Sequence, residues 1–172
     1  YANIEVIVVF NGNKDGSFEI VKEKFPQVIT ILNKKNLGFA KANNQAIKIS
    51  NGEIIFLLND DTTIYSQLIS VLSEELMSSS KIGIVGPKIY YMDEPSKIWV
   101  AGGIVDWAKQ EPCHMGRDID NNEWQDEEKE VDFITGCALM IKREVINKIG
   151  LLDERFFAFY EDVDWCLKEK KN

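Results

Sequence analysis

The chain has 172 residues, 45% hydrophobic and 28% charged, which is enough for one domain with a substantial core; no run approaches the roughly 18 apolar residues of a transmembrane segment. A net charge of -8 repels polyanions and excludes nucleic acid as the expected partner. Cys113, Cys137 and Cys166 are widely spaced and form no CxxC pair, which argues against a disulfide framework or a zinc site and fits a reducing cytoplasm.

Residues 4–10 (IEVIVVF) form a β-branched apolar run closed by the turn cluster Asn11-Gly12-Asn13-Lys14-Asp15-Gly16, which predicts a buried strand and a loop. Ser17 then caps a helix with Phe18, Val21 and Phe25 at helical spacing; Pro26 stops it, and residues 28–32 (VITIL) predict a second buried strand. The grammar repeats with a helix over 38–50, a strand over 53–58 (EIIFLL), a helix over 65–79 and a strand over 82–85. Beyond Pro87, short strands at 88–91, 98–100 and 104–107 precede a polar stretch, 112–130, expected as a surface loop with little regular structure. A strand over 131–134, a helix over 142–149 ended by Gly150 and a final helix over 163–170 follow. This alternation predicts an α/β fold with a Rossmann-like, mostly parallel sheet covered by helices on both faces, as one domain over residues 1–172. Its ligands should bind beyond the carboxyl ends of the strands, where the loops after Phe10, Leu32 and Leu58 converge.

Asn59-Asp60-Asp61 leaves the strand EIIFLL directly, so two carboxylates sit at the exit of a rigid element. They suit a hard divalent cation, Mg²⁺ or Mn²⁺, bridging a diphosphate; the competing reading is a solvated turn that caps the next helix. Glu161, Asp162 and Asp164 follow the aromatic run Phe156-Phe157-Ala158-Phe159-Tyr160, where low polarity raises a carboxyl pKa toward that of a general base. An acidic first turn stabilised by the helix dipole explains the same pattern. Asn11-Gly12 and the segment from Asn36 to Asn44 place small residues and amides where backbone can approach a phosphate or a base. His114, the lone histidine, lies in the polar stretch without a partner at metal-ligand spacing and reads as a surface or acceptor-loop residue.

The order of the segments IEVIVVFNGNKDGS, NKKNLGFAKANNQAI, NGEIIFLLNDDTTI and FITGCALMIKREVINKIGLLDERFFAFYEDVDWCLK closely resembles the bacterial family 2 glycosyltransferases, particularly the rhamnosyltransferase-like branch, over nearly the whole chain. The resemblance implies a GT-A type fold and transfer, with inversion, of a sugar from a nucleotide-diphosphate donor of UDP or dTDP type. The acceptor would be a glycan or a lipid-linked molecule in bacterial polysaccharide or cell-surface glycan synthesis, in the cytoplasm or at the inner membrane face. It further implies Asp61 as metal ligand, Asp60 as a ribose or metal partner beside Asn59, and nucleotide contacts from Asn11, Gly38 and Asn44. Thr135 and Gly136 would lie beside the donor sugar, with Asp162 as base and Glu161 as its neighbour or substitute.

Two departures stand out. Phe10 occupies the place of the family's base-contacting aspartate, so base recognition is expected to be altered, weaker, or supplied by stacking on the ring. The family's first strand is missing ahead of Tyr1, and the chain stops at Lys171-Asn172. The expectation is therefore either a fragment truncated at both ends, with an incomplete acceptor site, or a strand edge that another copy of the chain covers as a homo-oligomer. A sugar-1-phosphate nucleotidyltransferase would need a glycine-rich basic triphosphate loop, which the sequence lacks. A degenerate nucleotide-sugar-binding or oligomerisation domain remains the alternative.

Overall fold

A computed structural model describes residues 3–125 and 128–171; Tyr1 and Asn172, on which the truncation expectation rests, and positions 126–127 of the polar stretch lie outside the described residues. The first half follows the predicted order: β1 (Ile7–Asn11), α1 (Ser17–Lys24), β2 (Ile29–Asn33), α2 (Phe39–Ile49), β3 (Ile54–Leu58), α3 (Leu68–Ser78) and β4 (Ile84–Val85). Helix α3 starts later than expected because Tyr65 opens a turn, its carbonyl accepting from the Leu68 amide at 3.0 Å. The second half contains β5 (Ile89–Tyr90), β6 (Ile98–Val100), β7 (Gly103–Asp106), β8 (Glu111–His114), β9 (Ala138–Lys142), α4 (Arg143–Ile149) and α5 (Glu161–Lys170).

The second half corrects the sequence expectations in three places. The stretch 112–130 is not plain loop: its start lies in β8, paired antiparallel with β7 from Gly103–His114 to Asp106–Glu111, and Asn121–Glu123 forms a 3-10 turn. Residues 131–134 form no strand. Phe133 makes an isolated bridge to Gly103 while its side chain fills the core, so the apolar pattern there reports burial, not a ladder. The third correction is β9, which the sequence reading does not predict and whose five residues are all buried. Burial on both faces removes the alternation that marks a strand, and Ala, Leu and Met favour helix by propensity.

β9 organises the sheet. It runs antiparallel to β3 on one side and to β4 on the other, so β3 and β4 point the same way with a reversed strand between them. Both ladders of this three-stranded sheet are antiparallel, and β1–β2, a separate two-stranded sheet, is the only parallel ladder among the described residues. Leu139 and Ile141 enter a core cluster with Ala40 and Ile47 of α2, Val145 of α4 and Trp165 of α5. Met140, pointing the other way, meets Leu72 and Leu76 of α3. Helices thus cover both faces, as the period-two alternation of side chains along β9 requires. Among the described residues no helix is long and apolar enough to cross a membrane.

Arg143, the first residue of α4, ties this core to the turn before β3. Its Nε donates to the Gly52 carbonyl at 2.6 Å, and one Nη donates to the Ser50 carbonyl and hydroxyl at 2.8 and 2.7 Å. Arg143→Met, which keeps most of the stem, is expected to cost about 1–3 kcal/mol in denaturant unfolding through the loss of these charged hydrogen bonds.

Candidate active site

Residues 135–137, leading into β9, hold two distant segments together. The Cys137 carbonyl accepts from the Asn59 amide at 2.9 Å, fixing the exit of β3, and the Gly136 amide donates to Oδ2 of Asp162 at 2.8 Å, fixing the start of α5. Asn59, Thr135, Gly136, Glu161 and Asp162 consequently line one cleft of about 360 Å³, with aromatic walls from Phe39, Trp99, Phe133, Phe159 and Tyr160. That volume falls within the range of small-molecule pockets, about 300–1,000 Å³. Gly136 has no room for a side chain, since a Cβ there would come within 2.9 Å of the Phe39 ring.

The turn before α5 is strained. Phe159 and Tyr160 both adopt left-handed backbone, φ 68° and 71°, costing on the order of 1–3 kcal/mol each in non-glycine residues. The Phe157 carbonyl accepts from the Phe39 amide at 2.8 Å, so the aromatic run is docked on the start of α2, where Gly38 allows the close approach. Beyond this turn the three acidic side chains separate. Asp164 pairs with Lys168 at 2.6 Å within α5. Asp162 faces the cleft with both oxygens held, Oδ2 by Gly136 and Oδ1 by the Val163 amide at 2.8 Å. Glu161 is 4% exposed and its Oε2 is enclosed without a hydrogen-bond partner among the described residues.

Burial pushes the Glu161 carboxyl above its ordinary value, opposed by its own backbone amide and reinforced by the Asp162 charge. The folded state therefore favours the protonated form. Glu161 costs nothing below the ordinary glutamate value of 4.5 and progressively more stability as pH rises through its raised folded pKa. Glu161→Gln should melt above the wild type at neutral pH, with the difference closing near about pH 4. A difference that widens on acidification would show that burial is not what perturbs this group.

Other sequence-nominated residues lie elsewhere. Asp60 and Asp61 are exposed just past Asn59, and no hydrogen bond or ion pair occupies their carboxylates among the described residues. Burial raises the pKa of the Cys137 thiol and the Asp61 charge adds to that effect, which puts Asp61 within electrostatic reach of the cleft wall. No group of three or more His, Cys, Asp or Glu side chains is placed as a metal cage among the described residues. Two free carboxylates at a strand exit nevertheless fit a hard cation whose remaining ligands come from phosphate and water.

Three residues at the N-terminal side are engaged within the protein itself. Asn44 is 1% exposed and cannot reach a nucleotide: its amide donates to the Leu152 carbonyl at 2.8 Å and to Glu154 at 3.2 Å, and its oxygen accepts from the Leu152 amide at 3.1 Å. Asn11 is occupied as a loop organiser, accepting from Asn33 and the Leu37 amide and donating to Asn36 and the Gly38 carbonyl. Phe10 is 5% exposed and packs edge-on against Phe18 at 5.3 Å, so its face is not open for stacking on a base.

His114, read from the sequence as a surface or acceptor-loop residue, lines the cleft. Its signal was the period of two along β8, which puts Pro112 and His114 on the same face, and both line the cavity.

Comparison with known proteins places the chain in a family. The profile of glycosyl transferase family 2 matches residues 1–150. Over 94% of its length the chain is 24% identical to the N-acetylglucosaminyl-diphospho-decaprenol L-rhamnosyltransferase of Mycobacterium tuberculosis (strain CDC 1551 / Oshkosh), covering 59% of that protein. Over 78% of its length it is 28% identical to the dTDP-rhamnosyl transferase RfbF of Shigella flexneri, covering 43% of it. It is similar in structure to mannosyltransferase PcManGT from Pyrobaculum calidifontis, solved with GDP-Man and Mn²⁺, at TM-score 0.60 and 17% identity over 94% of this chain and 41% of that one. It is also similar to GalNAc-T7, solved with UDP, GalNAc and Mn²⁺, at TM-score 0.70 and 16% identity over 96% of this chain and 34% of that one. The chain spans at most 59% of the length of these relatives. With a GT-A fold and rhamnosyltransferases among its relatives, the chain belongs to glycosyl transferase family 2.

Proposed function

We propose that this protein transfers a sugar from a nucleoside diphosphate sugar, of UDP or dTDP type, to a hydroxyl of a glycan or lipid-linked acceptor with inversion at the anomeric carbon. The proposed setting is bacterial cell-surface glycan synthesis, in the cytoplasm or at the inner membrane face. The observation that carries this reading is the joint anchoring of Asn59 and Asp162 on residues 136–137, which brings the β3 exit and the acidic start of α5 to one cleft.

In this reading Asp162 accepts the proton of the attacking hydroxyl as its oxygen bonds to the anomeric carbon and the bond from that carbon to the diphosphate oxygen breaks. The amides of Gly136 and Val163 hold the carboxylate in place, which reduces the reorganisation the step needs. Asp61, with Asp60 beside it, is assigned to hold Mg²⁺ or Mn²⁺, which when bound supplies Lewis-acid stabilisation of the departing diphosphate. Thr135 and Gly136, on the wall next to Asp162, are assigned to the donor sugar. Asn11 and Gly38 are assigned to shape the loop before α2 on the nucleotide side of the site.

The test is incubation with UDP-, dTDP- and GDP-sugars and simple acceptors, following nucleoside diphosphate release and reading the product's anomeric configuration by NMR. Product of opposite configuration to the donor is expected; a retained configuration would contradict the single-displacement role of Asp162.

A further inference from the structure

His114 ends β8 with its ring between two aromatic side chains, 5.8 Å from the Trp99 ring edge-on and 5.8 Å from the Phe133 ring. It lines the same cleft as Glu161 and Asp162. Neither ring nitrogen is hydrogen-bonded to a described residue, and of the two only Nδ1 is enclosed. A proton on Nδ1 would bury an unpaired donor, so the neutral ring carries it on Nε2, where the donor remains available. Burial first, and then Arg117, hold the imidazole below the ordinary histidine range against the opposing pull of Asp162, so the ring is neutral at neutral pH.

The cleft therefore pairs an N–H donor and a carboxylate acceptor with aromatic faces. That combination matches a pyranose, whose C–H face packs on aromatic rings while its hydroxyls both accept and donate. We propose that His114 is a specificity-determining residue on the acceptor side of the cleft, its Nε2–H donating to a ring substituent of a pyranose whose attacking hydroxyl faces Asp162. This assignment rests on the glycosyltransferase reading above. The histidine contributes selection: a sugar without an oxygen at that substituent leaves the donor unpaired.

The chain has a single histidine, so imidazole ¹⁵N labelling gives one pair of nitrogen signals. The experiment titrates methyl glycosides of glucose, mannose, galactose and N-acetylglucosamine into the labelled protein, and repeats the binding measurement by ligand-observed NMR with His114→Phe and His114→Gln. His114→Phe keeps a ring between Trp99 and Phe133; His114→Gln restores an N–H donor. The expected results are an Nε2–H tautomer at neutral pH, a shift of the Nε2 signal by at least one pyranoside, and about tenfold weaker binding of that pyranoside by His114→Phe with partial recovery in His114→Gln. UDP binding with Mn²⁺ should be the same in all three proteins. No pyranoside shift in the wild type, or wild-type pyranoside affinity in His114→Phe, overturns the assignment. Failure of the wild type to bind UDP, dTDP or GDP counts instead against the glycosyltransferase reading, and the pyranoside titrations still decide the role of His114.

Discussion

Asp162→Asn is expected to lower the rate of sugar transfer by about 10²–10⁴-fold, the usual contribution of a positioned general base. The carboxylate stands at the start of α5 with each oxygen engaged by a backbone amide, Gly136 on one side and Val163 on the other. Asparagine keeps the shape and removes the basic oxygen, but its amide group must face one of those two N–H donors. A second effect follows, a stability loss on the order of 1–3 kcal/mol from the unpaired donor. Thermal unfolding and nucleotide affinity, measured beside the rate, separate the two: the variant should stay folded and bind nucleotide while turning over far more slowly. Glu161→Gln is the companion. Its enclosed oxygen is shielded from an incoming hydroxyl, so this variant should lose less activity than Asp162→Asn. Full activity in Asp162→Asn together with an inactive Glu161→Gln would move the base role one residue back along the chain.

Asn44→Leu carries the largest expected effect on stability. Leucine fits the apolar surroundings but abandons the Leu152 amide and carbonyl, both paired with Asn44 at 3.1 and 2.8 Å in a position 1% exposed. Unpaired buried groups cost about 1–3 kcal/mol each, so a loss of at least about 3 kcal/mol is expected, seen as a fall in Tm of roughly 6–12 °C. Lys48→Ala is the control. Its ion pair with Glu154 is 3.8 Å long and solvent-exposed, and exposed pairs contribute about 0–1 kcal/mol, so its Tm should stay close to that of the wild type. Because Asn44 joins α2 to the segment leading to the strained Phe159–Tyr160 turn, Asn44→Leu should also reduce activity without touching substrate.

The first half of the fold was legible because each element carries a local signature: β-branched runs for β1, β2 and β3, helical periodicity for α1 and α2, and Gly or Pro at the joints. β9 was not, since a strand buried on both faces has no alternation and its Ala-Leu-Met composition points toward helix. In the site, the chemical identities of Asn59, Gly136, Glu161 and Asp162 were readable, but their meeting depends on hydrogen bonds such as Gly136–Asp162 between segments far apart in the chain, which no local pattern encodes. Asn44 and Asn11 show the converse. Amides at strand exits and helix starts read as ligand contacts, yet one is consumed by Leu152 and the other by the loop from Asn33 to Gly38. Residue type announced polar recognition in both cases; the groups that the two side chains engage in the structure belong to the protein itself.

The central claim is that the free carboxylates after β3 serve a diphosphate bound at the same cleft as Asp162. Calorimetric titration of UDP and dTDP into the wild type and Asp61→Ala, each with and without Mn²⁺, tests it most directly. Wild-type binding that requires Mn²⁺ and is weakened at least about tenfold, roughly 1.4 kcal/mol, in Asp61→Ala is the predicted outcome. Equal, metal-independent affinity in the two proteins would contradict the account.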